Sequence, residues 1–413
     1  MRNRAHKTCA ALIGITVLAT GCGSNSESGG NGGGANETFD IVFVGGVSGP
    51  LAGITESEVN AVQVAIDQLN AEGGILGQEI TLEVLDSKGD PTEAVSVLQR
   101  RLAEGDTPDL VRAGLSSTET LALLPALARA GIPSFGSSNS PAIDDMVAYP
   151  LDRQVSAKNT RQVGMGAEYA QLQGYERVAV LAAEDASGDG VVAAAEKAYA
   201  AAGIKITSTR YNPQEVNLTV AMQRALDSAP GAIYTDCLGE PCARLLAARE
   251  SVPGAMDVPM FAGTSMAGSA GGPAAYATPQ SLENLHVLVF GVQLQRPESE
   301  QTDAFRSFIK DYRAEYGDPA SIVAAAVSYD GLRMFAAAAE EAGSTDPEAM
   351  VGAIDSIDWK AGDFVTYSDA QVDYDGKSLY PVLPNNAFSY VQPSALEGGQ
   401  YPPVDVQTFE SED

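Results

Sequence analysis

The sequence contains few basic residues and almost no histidine. Lys and Arg number 25 against 54 Asp and Glu, which gives a formal net charge of −29 at pH 7, and the two histidines are His6 and His286. Binding to nucleic acid needs clustered Lys and Arg that displace counterions from the phosphates. We therefore expect no nucleic-acid partner. The acidic balance favours solubility and says little about the fold.

The sequence also lacks common signatures of enzymes and metal sites. Neither G-x-S-x-G nor G-x-x-x-x-G-K-[ST] occurs, and residues 263–268 (GTSMAG) have the wrong spacing for either pattern. Cys237 and Cys242 have no histidine or further cysteine nearby that would complete a zinc site. We expect no enzymatic activity, no cofactor and no metal. A site built from Asp and Glu alone stays open as an alternative.

The N-terminus has the composition of a secretory signal. Basic residues precede an apolar run at residues 9–18, and Ala-Thr-Gly leads into Cys22. The run is shorter than the roughly 20 residues of a membrane span. The segment is similar to a bacterial lipobox, with Ala19 where Leu is commonest. We expect a signal peptide at 1–21 and lipidation of Cys22; secretion with cleavage elsewhere is the alternative.

Residues 23–36 are mostly Gly, Ser and Asn, a composition that does not bury enough apolar surface to fold. We therefore expect residues 22–38 to form a flexible tether before a globular body that starts near Phe39. No comparable apolar run follows the signal, so the body is expected to be extracytoplasmic and held at the cell membrane by its N-terminal lipid. Loss of three basic residues with the signal lowers the net charge from −29 to −32.

Two cysteines remain in the expected mature chain, because Cys9 leaves with the signal and Cys22 takes the lipid. Cys237 and Cys242 are an even pair in an oxidising compartment, which favours a local disulfide. Spacing alone does not establish the geometry that a disulfide needs. Free thiols stay the alternative.

Strands and helices alternate along the body. Alternating apolar residues predict strands, and apolar residues three or four apart predict helices. A first series runs to about Arg153 and a second follows it, which predicts two doubly wound α/β lobes with parallel sheets. The predicted strands lie near 39–43, 80–84, 110–113, 132–135, 178–181, 204–207 and 232–234. The predicted helices lie near 59–69, 121–130, 160–172, 190–201, 220–229, 305–312, 322–342 and 347–357. A further helix is predicted to begin at Pro91, with Asp90 as its N-cap. The remaining tail is predicted to form hairpins and irregular structure.

Several short motifs occur in a specific order: residues 48–53 (SGPLAG), Asn60, residues 70–77 (NAEGGILG), and Asp86 with residues 90–91 (DP). Together they resemble type I periplasmic binding proteins of the leucine/isoleucine/valine-binding class, and weaker similarity extends to about residue 360. The resemblance implies two lobes whose chain crosses a hinge three times. The implied crossings lie near 153–156 and at 285–293 and 358–365; lobe one then comprises 39–153 plus 294–357, and lobe two 154–284 plus 366–413.

The resemblance also implies a function. Such a protein is the extracytoplasmic substrate-binding component of an ABC importer, which closes its lobes on a small solute and delivers it to a membrane permease. An amino acid or a related small amide or carboxylate is the implied solute, and the protein is expected to be a monomer. A ligand-binding module of a sensory system is the alternative, because the same fold serves both. The absence of a signalling or membrane-spanning domain in this sequence favours transport.

Lobe one is expected to contribute two polar turns to the ligand site. Ser117, with Thr118 beside it, matches the family position that holds a ligand carboxylate; the alternative is that Ser117 only caps a helix. The loop at 136–141 is one residue shorter than its family counterpart. The contact is therefore assigned to one of two pairs, Ser138 with Ser140 or Ser137 with Asn139, and capping alone is again the alternative.

Four family positions carry different side chains here: Ile54 replaces a common aromatic residue, Ser187 and Leu238 replace tyrosines, and Ser265 replaces the acid that pairs with an amino acid's ammonium group. A buried ammonium without an anion costs several kcal/mol. Either Asp236 or Asp185 supplies that anion or the ligand has no ammonium; for both aspartates a solvated loop or a helix cap is the alternative. The smaller side chains imply a roomier pocket, and the ligand's identity stays open.

Overall fold

The structure, a computed structural model, describes residues 38–410. The predicted signal peptide (1–21), Cys22 and all of the predicted tether except Thr38 lie outside this range. Thr38 itself already belongs to the first strand.

The first sheet has five parallel strands in the order β2-β1-β3-β4-β5. They are β1 (Thr38–Gly45), β2 (Glu79–Asp86), β3 (Leu110–Ala113), β4 (Ser134–Gly136) and β5 (Asp152–Gln154), and their connecting helices are α1 (Ala52–Glu72), α2 (Pro91–Leu102) and α3 (Ser117–Ala130). Alternate residues of β1 pack on α1 and on the α2–α3 layer. Both faces are therefore covered, which explains the nearly continuous apolar run in β1.

The second sheet has seven strands in the order β12-β11-β10-β9-β8-β6-β7. Its first part comprises α4 (Asn159–Leu172), β6 (Arg177–Ala183), α5 (Ala186–Ala201), β7 (Lys205–Tyr211), α6 (Thr219–Asp227), β8 (Ala232–Asp236), α7 (Glu240–Ser251), β9 (Met260–Ala262), α8 (Thr264–Ala267) and β10 (Leu285–Phe290). These five strands are parallel. The prediction of two doubly wound α/β lobes is thus confirmed.

Three further helices follow β10, and two short strands close the chain. They are α9 (Asp303–Tyr316), α10 (Ile322–Ala342), α11 (Pro347–Ile354), β11 (Phe388–Val391) and β12 (Gln407–Thr408). Helices α9 and α10 return to lobe one, where Tyr329 donates to Gln68 of α1 at 2.6 Å. Strands β11 and β12 extend the second sheet in antiparallel fashion.

Local sequence signals explain where several helices begin and end. The side chain of Asp90 accepts hydrogen bonds from the N–H groups of Thr92 and Glu93, and Pro91 occupies the first helical position, as predicted. Helix α1 ends at Gly73, whose φ of 116° is favourable only for glycine. At Gly74 a Cβ atom would lie 1.9 Å from the Gln78 carbonyl oxygen, so the chain needs glycine there too.

Among the described residues one helix, α10, is long and apolar enough to cross a membrane by length and composition. Its most apolar stretch is 89% buried within the protein. It packs against α1, α11 and β4 in the core of lobe one. Helix α10 is therefore a central core helix of this lobe.

The predicted hinge crossing at 285–293 is wrong in its first two-thirds. Residues 285–290 form β10, which pairs with β9 on one side and β11 on the other. The chain leaves the second sheet only after Phe290, because the apolar residues of β10 complete the core of lobe two. Val292 then donates to the carbonyl of Thr366, which joins the second crossing to the third.

The prediction that the whole tail, residues 366–413, belongs to lobe two is wrong for part of this segment. Leu379 and Tyr380 pack on Leu124 and Ile143 of lobe one. The Gln154 N–H donates to the Leu379 carbonyl at 2.7 Å. These apolar side chains cover the edge of the first sheet beside β5, and only β11 and β12 belong to the second sheet.

Candidate functional site

Each sheet has a switch point, which is the position where the strand order reverses, and the two switch points lie at one place in the molecule. The strand order reverses between β1 and β3 in the first sheet and between β6 and β8 in the second. In open α/β sheets, ligands bind outside the carboxyl ends of the strands at such points, where helix N-termini expose N–H groups. The loops that follow these four strands contribute to a single cavity of about 390 Å³.

Most of the residues predicted for the ligand site line this cavity. They are Ile54, Ser117, Thr118, Ser138, Asn139, Ser187, Asp236, Leu238 and Ser265, together with the alternatives Ser137 and Asp185. Ser140 is not among the lining residues. Its hydroxyl donates to the Ala186 carbonyl at 3.0 Å and caps the short turn Pro141–Ile143, so for Ser140 the capping alternative describes the structure.

The side chain of Asn139 connects the two lobes. Its Oδ1 accepts from the hydroxyl of Ser117 in lobe one at 3.2 Å and from that of Ser187 in lobe two at 3.1 Å. Its Nδ2 donates to the Ser265 hydroxyl, also in lobe two, at 3.2 Å. One amide therefore joins three serines across the cleft, all of which line the cavity.

Ser117 does not cap helix α3. Ser116 is the cap, because its hydroxyl accepts from the Glu119 N–H at 3.2 Å. The Ser117 hydroxyl instead accepts weakly from the N–H groups of Asn139 and Ser140 at 3.4 and 3.3 Å. Ser117 thus links the first polar turn of lobe one to the second.

Asp236 lies at the carboxyl end of β8 and is 6% exposed. The N–H and hydroxyl groups of Ser265 donate to its two carboxylate oxygens at 3.2 and 3.1 Å. Burial raises the pKa of Asp236 to about 7, against the lowering effect of these hydrogen bonds. A Cβ atom on Gly263 would lie 2.6 Å from the Asp236 Cγ, so glycine leaves the space for this carboxylate.

Asp185 caps a helix, which was the alternative to its predicted role as an anion for the ligand. Its side chain accepts from the Gly188 N–H at 2.8 Å at the start of α5. Asp185 also lines the cavity, and its negative charge raises the pKa of Asp236.

Sequence reasoning misses several polar side chains that line the cavity, among them Glu58 and Tyr211. Glu58 and Arg112 form a buried ion pair, and Arg112 also donates to the hydroxyl of Ser137 at 2.8 Å. Burial raises the pKa of Glu58 to about 7, while Arg112 lowers it. Tyr211 ends β7 and also lines the cavity. The sequence could have indicated Arg112, because it is a charged residue within an apolar strand. No sequence pattern indicates that Glu58 or Tyr211 lies at the cavity.

An aliphatic wall stands beside the polar groups. It is formed by Leu51, Ile54, Leu115, Ala324 and Leu238, which pack as one cluster. The first four belong to lobe one and Leu238 to lobe two.

A disulfide joins Cys237 and Cys242 directly after β8. Cys237 lines the cavity next to Asp236 and Leu238, and Cys242 lies in the first turn of α7. The bridge therefore fixes the loop that carries one side of the cavity. Within residues 38–410, no group of three or more His, Cys, Asp or Glu is arranged to hold a metal ion.

Comparison with known proteins agrees with this architecture. Residues 38–373 match the family described as periplasmic binding protein. The leucine-, isoleucine-, valine-, threonine- and alanine-binding protein of Pseudomonas aeruginosa is 22% identical over 78% of this chain and 83% of its own. The Leu/Ile/Val-binding protein BraC3 of Rhizobium johnstonii is 32% identical, but over only 17% of this chain and 19% of its own length.

A solved structure shows the same fold. The solute-binding protein of an ABC transporter from R. palustris, in complex with 4-hydroxybenzoate, has a TM-score of 0.75 and 17% identity over 91% of this chain and 98% of its own. The family is described as periplasmic binding protein, and each of these relatives is named as a binding protein. The chain belongs to the periplasmic binding protein family, in its type I, leucine/isoleucine/valine-binding class.

Proposed function

We propose that this protein captures one small solute per monomer in the cavity between its lobes and delivers it to the permease of an ABC importer. The observation that carries the proposal is the amide of Asn139, which hydrogen-bonds to serines of both lobes at the cavity wall. A cleft that closes in this way presents the permease with a surface that differs from that of the open form. The proposed location is extracytoplasmic, with a lipid on Cys22 as the anchor.

Native mass spectrometry of the purified protein tests solute binding without a guess about the ligand. We expect a bound species that is released on denaturation. A thermal-shift screen over amino acids, amines, amides and carboxylates complements it, because a ligand that binds only the folded state raises the melting temperature. Uptake of the identified solute by cells with and without the gene tests the transport role. Binding without any effect on uptake would support a sensory role instead.

The lipid anchor is tested separately. Replacement of Cys22 by Ala is expected to release the protein from the membrane fraction into the medium or periplasm, while solute binding is retained. Membrane association that persists in this variant would contradict the anchor and leave the solute-binding proposal standing.

A further inference from the structure

We infer that residues 396–401 of the tail, termed the tail strap, join the two lobes beside the hinge and limit how far the cleft opens. The tail strap lies between β11 and β12, which both belong to the second sheet, and beyond residues 38–373, the part of the chain that matches the family. The three crossings that the family resemblance implies thus gain a fourth member here. This inference goes beyond solute capture, because it concerns the motion of the lobes with or without a solute.

The tail strap runs along the second hinge crossing. The Tyr401 N–H donates to the Gln293 carbonyl at 2.7 Å, and the Tyr401 carbonyl accepts from the Gln295 N–H at 2.9 Å. The buried side chain of Gln400 donates to the Val292 carbonyl at 2.8 Å. The tail strap is therefore an additional hydrogen-bonded segment of the hinge.

The tail strap is fixed in lobe two. Tyr401 is buried in the apolar core of this lobe, and its hydroxyl donates to the Ala267 carbonyl at 2.8 Å. Leu396, at the other end of the tail strap, packs against the same core. When the lobes separate, we expect the tail strap to move with lobe two.

The turn of the tail strap contacts lobe one. Arg313, in the last turn of α9, donates to the Gly398 carbonyl at 2.8 Å and pairs with Asp318. Gly398 has a φ of 59°, and a Cβ atom there would clash with the Arg313 guanidinium, so the close approach needs glycine. Beside it, a Cβ atom on Gly399 would lie 3.3 Å from the Pro319 carbonyl oxygen. A segment fixed in lobe two is thus closely fitted to lobe one.

Directly beside the tail strap the two lobes touch each other. The Ser321 hydroxyl of lobe one donates to the Gly268 carbonyl of lobe two at 2.6 Å, and the Gly271 N–H of lobe two donates to the Ala320 carbonyl of lobe one, also at 2.6 Å. The tail strap packs on neighbouring residues of both loops. Separation of the lobes breaks these bonds and the contact with Arg313 together, so the tail strap adds to the free energy that opening requires.

Two amide hydrogens report opening without any solute. The Gly271 N–H bonds across the lobes beside the tail strap, and the Asn159 N–H of lobe two donates to the Asn139 carbonyl of lobe one at 2.7 Å, near the first crossing. Each exchanges with solvent through the open form, at a rate set by the population of that form. Val180, in the core strand β6, reports global unfolding instead. Hydrogen–deuterium exchange with fragmentation mass spectrometry measures all three, on protein freed of solute by unfolding in urea and refolding.

Two substitutions break the contact with lobe one from opposite sides. Arg313→Ala removes the donor, and Gly398→Ala places a methyl group against the guanidinium. Each is expected to accelerate exchange at Gly271 and Asn159 at least about threefold, because a hydrogen bond from a partly exposed charged group has a modest effect. The double variant is expected to match the faster single variant within about twofold, because both changes remove the same contact.

Lys310→Ala is the matched control. Its exposed side chain lies on α9, as Arg313 does, and pairs with the neighbouring Asp311. It is expected to leave the exchange of both reporter amides unchanged. Melting temperatures of all variants confirm that they are folded.

The pattern of exchange decides the inference. Faster exchange at both Gly271 and Asn159, with Val180 unchanged, supports a restraint on opening. Acceleration at Gly271 alone would mean that the tail strap only steadies the neighbouring loop, and equal acceleration at Val180 would mean a general loss of stability; either result overturns the inference, as does unchanged exchange in both single variants. Solute binding in native mass spectrometry is measured separately, so the proposed function stands or fails independently of these outcomes.

Discussion

Asn139 shows how much a single side chain contributes to the contact between the lobes. Its amide makes three of the hydrogen bonds that cross or line the cleft, at 3.1 to 3.2 Å. The carboxylate of Asp236 is tied to the same network through Ser265. We therefore expect closure of the cleft and solute binding to be coupled through Asn139.

We predict that Asn139→Ala weakens solute affinity about 10- to 100-fold. Each lost hydrogen bond contributes about 0.5–1.5 kcal/mol, and two of the three join the lobes. Isothermal titration with the co-purifying solute measures the change. Asn217→Ala is the control, because its exposed side chain serves only the start of α6. Equal affinity in Asn139→Ala and wild type would show that the amide does not hold the closed cleft.

The sequence indicates some of these residues and not others. Ser117 and Asn139 follow predicted strands and match family positions, so their place at the cavity could be predicted. Tyr211 and Glu58 lie at the cavity only because of tertiary packing, and no local sequence pattern predicts this position. Ser140 is the opposite case, a residue that was predicted to contact the ligand but does not line the cavity. Its hydroxyl instead donates to the Ala186 carbonyl of the other lobe.

At the scale of elements, boundaries depend on neighbours that lie far away in the sequence. Strand β10 looks like a hinge segment by family position, yet pairing with β9 and β11 makes it a strand of the second sheet. The tail around Leu379 has no periodic pattern, and its place is set by packing on Leu124 and Ile143. The starts of α2 and α11, which a capping Asp followed by Pro marks, are predicted to the residue. Without such a signal the start of α1 is predicted seven residues late, and α7 is not predicted at all.

The disulfide fixes the element that joins β8 to α7. We predict that Cys237→Ala combined with Cys242→Ala lowers the free energy of unfolding by up to about 2 kcal/mol, because the closed loop is short. Solute affinity is expected to fall as well, since Leu238 and Asp236 flank Cys237. Urea unfolding and titration measure the two effects. Unchanged affinity would mean that the loop keeps its conformation without the bridge.

Helix α10 anchors the third hinge crossing through Asp330. Its carboxylate accepts from the N–H groups of Val365 and Thr366 at 2.9 and 2.8 Å. We predict that Asp330→Ala lowers the free energy of unfolding by about 2–4 kcal/mol, because two buried donors lose their acceptor. Glu341→Ala, at an exposed position of the same helix, is expected to change it by less than about 0.5 kcal/mol. Urea unfolding distinguishes the two.

At the scale of the whole molecule, we expect buried carboxyls to govern the response of the fold to pH. Burial raises the pKa of Glu58, Asp236 and Asp330 to about 7 and that of Asp152 to about 6. These four groups lie in both lobes and at the hinge. Carboxyls with a lowered pKa, such as the half-buried Asp86 with its hydrogen bonds from Ser48 and Lys88, work in the opposite direction.

We predict that the solute-free protein loses stability as pH rises from about 4.5 to 7. The four folded-state pKa values lie above those of the unfolded chain, so in this window the unfolded state holds fewer protons and its relative free energy falls. A decrease of about 5 °C in melting temperature is expected, followed by a plateau above pH 7.5. Surface repulsion from the net charge acts in the same direction, but 1 M salt screens it. A decrease that persists in salt identifies the buried carboxyls, and a melting temperature that is constant or rises across the window contradicts their control of stability.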